Sequence, residues 1–330
     1  MNIPKLDPAT SFAFKPGDYV PFKDREICEK VRQLSGKDIE KREPWHNKDF
    51  NIKVMMNPHP VLIATLFNKI KESDEQDKVV TLLLGNPEPE TYIPLAQLIN
   101  YHRVNCRNVH LFAEDEWADE DGNIAPLTYE AGFGHSLFKY FFMQIDEDLR
   151  MPVENVHYFT NETVDHYSDL MVEIGNGGVD ILSSSPGWTG HMAFVDPVPD
   201  WMDCARKADG TWDMDAYFEQ KAKICTLHPL TVAQNSLHGV FGMSGYVASV
   251  PPKAATIGPF DVKHAKERVE VHALQTCCTE SSWQRMTSRL VLHAPVTPEV
   301  PSSMLQLLPT QVYVSDELAA PFECWEKKGY

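Results

Sequence analysis

Along the 330-residue chain the apolar positions change period several times, and each change predicts an element. Val61, Leu62, Ala64, Leu66, Phe67 and Ile70 recur at three- and four-residue spacing, the period of a helix with one buried face. Lys78-Val-Val-Thr-Leu-Leu-Leu84 then reads as a buried strand, Gly85-Asn-Pro87 ends it, and Glu88 to Asn100 begins a second helix with Pro89 in its first turn. Strands are predicted at Val109 to Phe112, Val156 to Phe159 and Val179 to Ser183. Helices are predicted at Ser136 to Asp148 and at Thr163 to Ile174, the latter closed by Gly175. Farther on, Tyr246 to Val250 and Gln311 to Val314 are strand candidates, and residues 262 to 274 and 280 to 291 are helical candidates. Strands alternating with helices predict an α/β fold, doubly wound, with a mostly parallel sheet and helices on both faces.

The first 55 residues break this pattern. They are polar and proline-rich (Pro4, Pro8, Pro16, Pro21, Pro44) with one helical candidate, Asp24 to Leu34, and read as an extension packed on a core built by residues 56 to 330. No internal repeat or low-complexity tract interrupts the rest.

Composition narrows the function. Hydrophobic residues make up 43% and charged residues 23%, as in an ordinary globular chain. Thirty Lys and Arg against 47 Asp and Glu leave a formal net charge of −17, which repels nucleic acid and anionic membrane surfaces as general partners. A small-molecule ligand fits better, and a homo-oligomeric assembly is allowed. No basic segment followed by an apolar run opens the sequence, and no apolar run approaches the length of a membrane span. Seven cysteines, odd in number and scattered, lack zinc spacing, and adjacent Cys277 and Cys278 read as buried thiols. A reduced, cytoplasmic protein without metal or cofactor is expected.

Ligands of such sheets bind beyond the carboxyl ends of the strands, so the loops after Leu84, Phe112 and Ser183 carry the candidate chemistry. The third is the sharpest: Gly187-Trp-Thr-Gly-His-Met-Ala-Phe-Val-Asp-Pro197 presents His191 between glycines with Asp196 five residues on. Such a His reaches the crevice and titrates in the working range of a general acid or base, and a carboxylate orients its ring. The alternative is a loop His bonded to a backbone carbonyl. In Ala113-Glu-Asp-Glu-Trp117, Asp115 at the strand end is a candidate proton-transfer base, whereas Asp119 to Asp121 read as a solvated turn. The Gly85-Asn86-Pro87-Glu88 loop has one glycine and no Lys, and is no phosphate loop. Ser183 to Ser185 read as turn chemistry.

In this order the three loops resemble the glucosamine-6-phosphate deaminase/isomerase family, which shares its fold with 6-phosphogluconolactonases. Gly190-His-Met-Ala-Phe-Val-Asp-Pro197 resembles the family's Gly-His-Ile-Ala-Phe-Asn-Glu-Pro signature, and Phe112-Ala-Glu-Asp-Glu-Trp117 its Phe-Asn-Met-Asp-Glu-Tyr segment. Pro152-Val-Glu-Asn-Val156, Pro229-Leu-Thr-Val232 and Leu305-Gln-Leu-Leu-Pro309 resemble further segments, so the likeness runs from about residue 57 to 318. It implies that Asp115 shuttles a proton between C1 and C2 of an opened sugar, that His191 helps open the ring and that Asp196 supports His191. It further implies substrate contacts from Gly85, Asn86, Glu88, Glu116, Trp188, Thr189 and Gly190, with Lys263 as a counterpart of a phosphate-binding Lys.

Two departures bear on function. The family carries Asp two residues before the signature His, where this chain has Thr189, and a hydroxyl supplies no negative charge to an imidazolium. Glu88 and Glu90 stand where a phosphate would meet the next helix, and Pro87 and Pro89 remove two N–H donors there. Three functions compete: an isomerase or deaminase acting on an amino or keto sugar, a lactonase-like hydrolase in which His191 activates water, and a relic fold that binds a sugar or sugar phosphate without turnover.

Overall fold

The structure, a computed structural model, describes residues 14–85, 87–273 and 282–322. Asn86, Cys277, Cys278 and the first 13 residues therefore lie outside the described residues.

In chain order the elements are α1 (Arg25–Arg32), β1 (Phe50–Met55), α2 (His59–Gln76), β2 (Val80–Leu84), α3 (Pro89–His102), β3 (Val109–Ala113) and β4 (Asp115–Ala118). Then come α4 (Phe133–Tyr140), β5 (Val156–His157), α5 (Tyr167–Ile174), β6 (Ile181–Ser184), α6 (Pro199–Met202), α7 (Met214–Phe218), β7 (Lys223–Thr226) and α8 (Pro229–Asn235). The chain closes with β8 (Lys253–Thr256), α9 (Pro259–His264), β9 (Glu267–His272), α10 (Gln284–His293), β10 (Thr310–Ser315) and α11 (Asp316–Ala319).

Seven strands form one all-parallel sheet in the order β1-β10-β9-β6-β2-β3-β5. Side-chain alternation explains why helices cover both faces. Leu82, Leu84, Leu111 and Ile181 pack on one side with Leu66 and Ile70 of α2 and Leu95 and Ile99 of α3. Leu83, Phe112 and Leu182 pack on the other with Met171 of α5, Val262 of α9 and Leu292 of α10. The predicted doubly wound α/β architecture is thus present. A second, antiparallel sheet, β4-β8-β7, grows from the end of β3.

Three predicted elements differ. Residues 262 to 274 are not one helix: α9 ends at His264, and Glu267-Arg-Val-Glu-Val-His272 is β9. Its polar positions alternate with valines, the period of a strand, but here the polar face is buried too, so it resembled the solvated side of a helix. Tyr246 to Val250 is not a strand but a 3₁₀ turn at Val247–Ser249, and the strand follows at β8, after Pro251-Pro252 has ended that turn. The helix predicted at Ser136 to Asp148 starts earlier, at Phe133, and ends at Tyr140, because Phe141 leaves helical geometry at φ −127° and ψ −69°.

Within the stretch read as an extension, β1 pairs in parallel with β10 at the sheet edge. Arg289 of α10 binds this region to the core. Fully buried, its guanidinium donates to the carbonyls of Leu34, Arg285, Leu318, Ala319 and Ala320, closing the ends of three segments at once. Burial without a carboxylate pushes it down to about 10, and the carbonyl dipoles stand in for a counter-ion. Arg268 serves the end of α9 in the same way, donating to Val262, Lys263 and Ala265. No helix among the described residues is long and apolar enough to cross a membrane.

Arg289→Leu should strand these carbonyls and destabilise the fold by on the order of 3 kcal/mol or more, read as a lower urea midpoint. Arg289→Lys should recover only part of the loss, since one ammonium cannot span five carbonyls.

Candidate functional site

The site is built where the chain passes from the large sheet to the small one. Glu114 bridges them: its N–H donates to Leu84 O, and its carbonyl accepts from Ile257 N. Asp115 follows as the first residue of β4, buried with Glu114 and Glu116 on either side. The three carboxyls have different surroundings. Glu116 accepts from the N–H groups of Trp117 (2.9 Å), Phe133 (3.1 Å) and Gly134 (2.8 Å), so it anchors the start of α4. Burial nevertheless pushes it up to about 7. Burial also holds Asp115 well above the ordinary carboxylate range, with the charges of Glu114 and Glu116 adding to the effect. Glu114 is pushed up to about 8 by burial, with Glu270 as a further cause.

His191 lies in the loop after β6. Gly190, at φ +77°, turns the chain, and Gly187 packs against the imidazole so closely that a Cβ there would sit 1.8 Å from His191 Nε2. On the ring's other side, Asp196 Oδ1 accepts from His191 Nδ1 (3.0 Å), Thr189 Oγ1 (2.8 Å) and Thr231 Oγ1 (2.7 Å), and its Oδ2 accepts from His228 N (2.8 Å). Burial alone would raise Asp196, but the His191 charge and these donors outweigh it and hold it below its ordinary value. The contacts assign the proton to Nδ1 and leave Nε2 as the reactive nitrogen.

Asp115 and His191 line one cavity of about 50 Å³, together with Glu114, Phe133, Gly187, Phe194, Gln234, Asn235 and His238. Burial and the His191 ring push His238 down to about 4, so it is neutral near pH 7. The other predicted residues divide between different places. Gly85 and Glu88 line a separate cavity of about 40 Å³ with His59, Thr91, Tyr92 and Ser183 to Ser185, where burial and Glu90 push Glu88 up to about 7. Trp188, Thr189 and Gly190 face a third and larger cavity, about 500 Å³, with Phe22, Leu230 and Trp283. Lys263 lines none of these cavities; on α9 it sits 3.5 Å from Glu219. Among the described residues, no group of three or more His, Cys, Asp or Glu is placed to hold a metal ion.

Sequence reading missed Thr231, Gln234, Asn235 and His238, which α8 and the turn after it bring over the His191 loop. Their only signal is a run of polar residues on a short segment. Glu114 was visible in the acidic run, but only the bridging backbone turns it toward the cavity.

Stability should depend on pH through these carboxyls. Glu114, Asp115, Glu116 and Glu88 all have raised folded values, so the stability they contribute is fully present below their unfolded values and lost as pH rises through the folded ones. Denaturation midpoints should therefore fall between about pH 5 and pH 8, and Glu114→Gln, which cannot ionise, should flatten the slope by on the order of 1 kcal/mol or more.

No protein-family model matches the chain. It is similar to a glucosamine-6-phosphate deaminase of Caenorhabditis elegans, at 27% identity over 209 residues, covering 60% of this chain and 66% of the relative. It is also similar to one of Fusobacterium nucleatum, at 25% over 211 residues, covering 61% and 65%. The chain thus spans just under two thirds of the length of these relatives. Among solved structures, a monomeric glucosamine-6-phosphate deaminase described as a missing link of the NagB superfamily superposes at a TM-score of 0.61 with 19% identity, covering 81% of this chain and 98% of that one. A 6-phosphogluconolactonase from Thermotoga maritima gives a TM-score of 0.53 at 12% identity, covering 81% and 99%. The two sequence matches and the shared fold make the chain similar to glucosamine-6-phosphate deaminases, and its fold is one that 6-phosphogluconolactonases share.

Proposed function

We propose that the protein is an enzyme that moves a proton between C1 and C2 of an amino or keto sugar. The observation that carries this reading is the shared cavity of Asp115 and His191, with the His191 ring oriented by Asp196. His191 Nε2 takes the proton of the anomeric hydroxyl and returns it to the ring oxygen as the C1–O5 bond breaks, giving the open-chain aldehyde. The ionised Asp115 carboxylate then removes the C2 proton while O1 takes up a proton from solvent, forming an enediol or enolamine, and it delivers the C2 proton to C1 as the hydroxyl or amine on C2 releases a proton to solvent, giving the 2-keto or 2-imino sugar. Buried surroundings that raise Asp115 also make it a stronger base once ionised. Thr189 donates to Asp196, so a single carboxylate supports the imidazolium that forms during ring opening.

The phosphate of the relatives' named substrate has no matching partner in the loop after β2. Among the described residues, no Lys or Arg lines the Glu88 cavity or the Asp115 cavity, and Lys263 is engaged with Glu219. The reading therefore extends to an unphosphorylated or differently substituted sugar. A cavity of about 50 Å³ is far below the several hundred Å³ of a ligand site, so the surrounding loops must part to admit a hexose.

Solvent deuterium incorporated at C2 is the direct test, since enolisation alone exchanges that hydrogen. Asp115→Asn should lower exchange by on the order of 10²–10⁴-fold while leaving binding nearly intact. Exchange should also fall as pH drops below the raised Asp115 value, because the protonated acid is no base. Lactone opening without exchange would point to the hydrolase, and binding with neither would leave a sugar-binding relic. Glucosamine should serve at least as well as glucosamine 6-phosphate, with Lys263→Ala neutral. A strong preference for the phosphate, lost in Lys263→Ala, would overturn the account of the loop.

A further inference from the structure

The cavity that Trp188 and Thr189 face takes no part in the proton transfer described above. Its volume, about 500 Å³, lies in the range of small-molecule sites, whereas the reaction cavity holds about 50 Å³. Four pieces of chain wall it. They are the segment before α1 at Phe22, the His191 loop from Trp188 to Gly190, α8 at Leu230, and the start of α10 at Trp283 and Met286.

The lining selects a ligand class. Among the described residues, none that lines the cavity carries a charged side chain, so an ionic ligand would leave its charge unpaired against an apolar wall. Three lining side chains end in hydroxyls, and each already donates within the protein. Thr189 donates to Asp196 Oδ1 (2.8 Å), Thr287 to Trp188 O (3.0 Å) and Ser282 to Gln284 Oε1 (3.2 Å). A sugar, with several hydroxyls that each need a partner, is poorly matched to such a wall. Trp283 Nε1, by contrast, is buried and has no hydrogen-bond partner, and an indole N–H can only donate. Trp188 and Trp283 stack, with ring centroids 5.9 Å apart and planes 11° from parallel. A flat π system extends such a stack, which an alkyl chain cannot do.

We propose that this cavity is a second ligand site, for an uncharged, flat aromatic molecule that stacks on the tryptophan pair and offers an acceptor oxygen to Trp283 Nε1. The site is separate from Asp115 and His191, and its occupancy does not depend on their chemistry. It does bear on the loop that carries His191, because the strip Trp188 to Gly190 that walls the cavity runs directly into that residue. Trp188 N donates to Gln234 Oε1 (2.6 Å), and Gln234 lines the reaction cavity. Trp188 O is held by Thr287 of α10, and Thr189 holds Asp196. A ring seated between α10 and this strip clamps the His191 loop from the cavity side.

The test is calorimetric titration of the full chain with chromone, an uncharged flat bicycle with one carbonyl acceptor. Wild-type protein should bind it with a dissociation constant on the order of 100 µM, a reachable affinity for so small a ligand. Chromone-2-carboxylate, which adds a charge, and cyclohexanone, which keeps the carbonyl without the aromatic ring, should each bind at least about tenfold more weakly. Glucose should not displace chromone. Trp283→Phe keeps a ring and removes the donor, and should weaken chromone by roughly fivefold to tenfold, the scale of one hydrogen bond. Met286→Trp should fill the cavity and abolish binding; if that variant folds poorly, Trp283→Phe and the charged analogue still decide. Chromone should raise the melting temperature of the wild type and slow amide exchange across Trp188 to His191. No chromone binding, tighter binding of the carboxylate, displacement by glucose, or unchanged affinity in both variants would overturn the site. Unchanged amide protection with chromone bound would overturn the clamp on the His191 loop.

Discussion

The fully buried Asp196 carboxylate is the interaction on which the site depends. One of its oxygens gathers His191 and two threonines, and the other takes the N–H of His228 at the head of α8. A carboxylate taken out of water is tolerable only when donors surround it, and these four come from two separated pieces of chain, residues 189–191 and 228–231. Satisfying the charge therefore also fixes the His191 loop against α8. That in turn sets the imidazole's tautomer, aims Nε2 and brings Gln234, Asn235 and His238 over the cavity. Gly187 completes the arrangement because any larger residue would occupy the space of the ring.

Opposite this ionised carboxylate lies a group of acids in the reverse condition. Glu114, Asp115, Glu116 and Glu270 are buried with too few donors or too many neighbouring charges, and all four are pushed upward. The two conditions differ in kind: Asp196 is a hydrogen-bonded anion that orients the His191 ring, whereas burial and the neighbouring carboxyls favour the protonated form of Asp115. Glu116 illustrates the intermediate case, an acid whose oxygens are bound to the start of α4 and which thereby holds the wall of the cavity in place. Two buried arginines, Arg268 and Arg289, use cations in the complementary way, donating to backbone carbonyls.

The likeness to these relatives and the departures from it have physical meaning together. Fold and loop order are shared with proteins named as deaminases and, at the level of fold, with lactonases. Around the loop after β2 the described residues place the carboxyl of Glu88 and no Lys or Arg, in a cavity closed by Tyr92, whose hydroxyl donates to Gly85 O.

Sequence by itself determined the elements whose physics is local. The largely apolar run of β2, the short strands β3 and β6, the helical spacing of α2 and the Gly175 stop of α5 were legible because period and punctuation are properties of neighbouring residues. So was the pairing of His191 with Asp196, five residues apart in one glycine-rich loop. What only the tertiary structure decided is where polar residues point when they are buried. β9 looked helical because Arg268, Glu270 and His272 resembled a solvated face, yet the centre of a parallel sheet buries both faces of its strands. Trp188 and Thr189 precede His191 by three and two residues but face the larger cavity, because the turn at Gly190 reverses the chain between them. Lys263 of α9 is engaged with Glu219, and Glu114 shares a row with Ser184 and Glu270 only because four strands distant in sequence lie side by side. Such rows depend on register across the sheet, which no local pattern encodes.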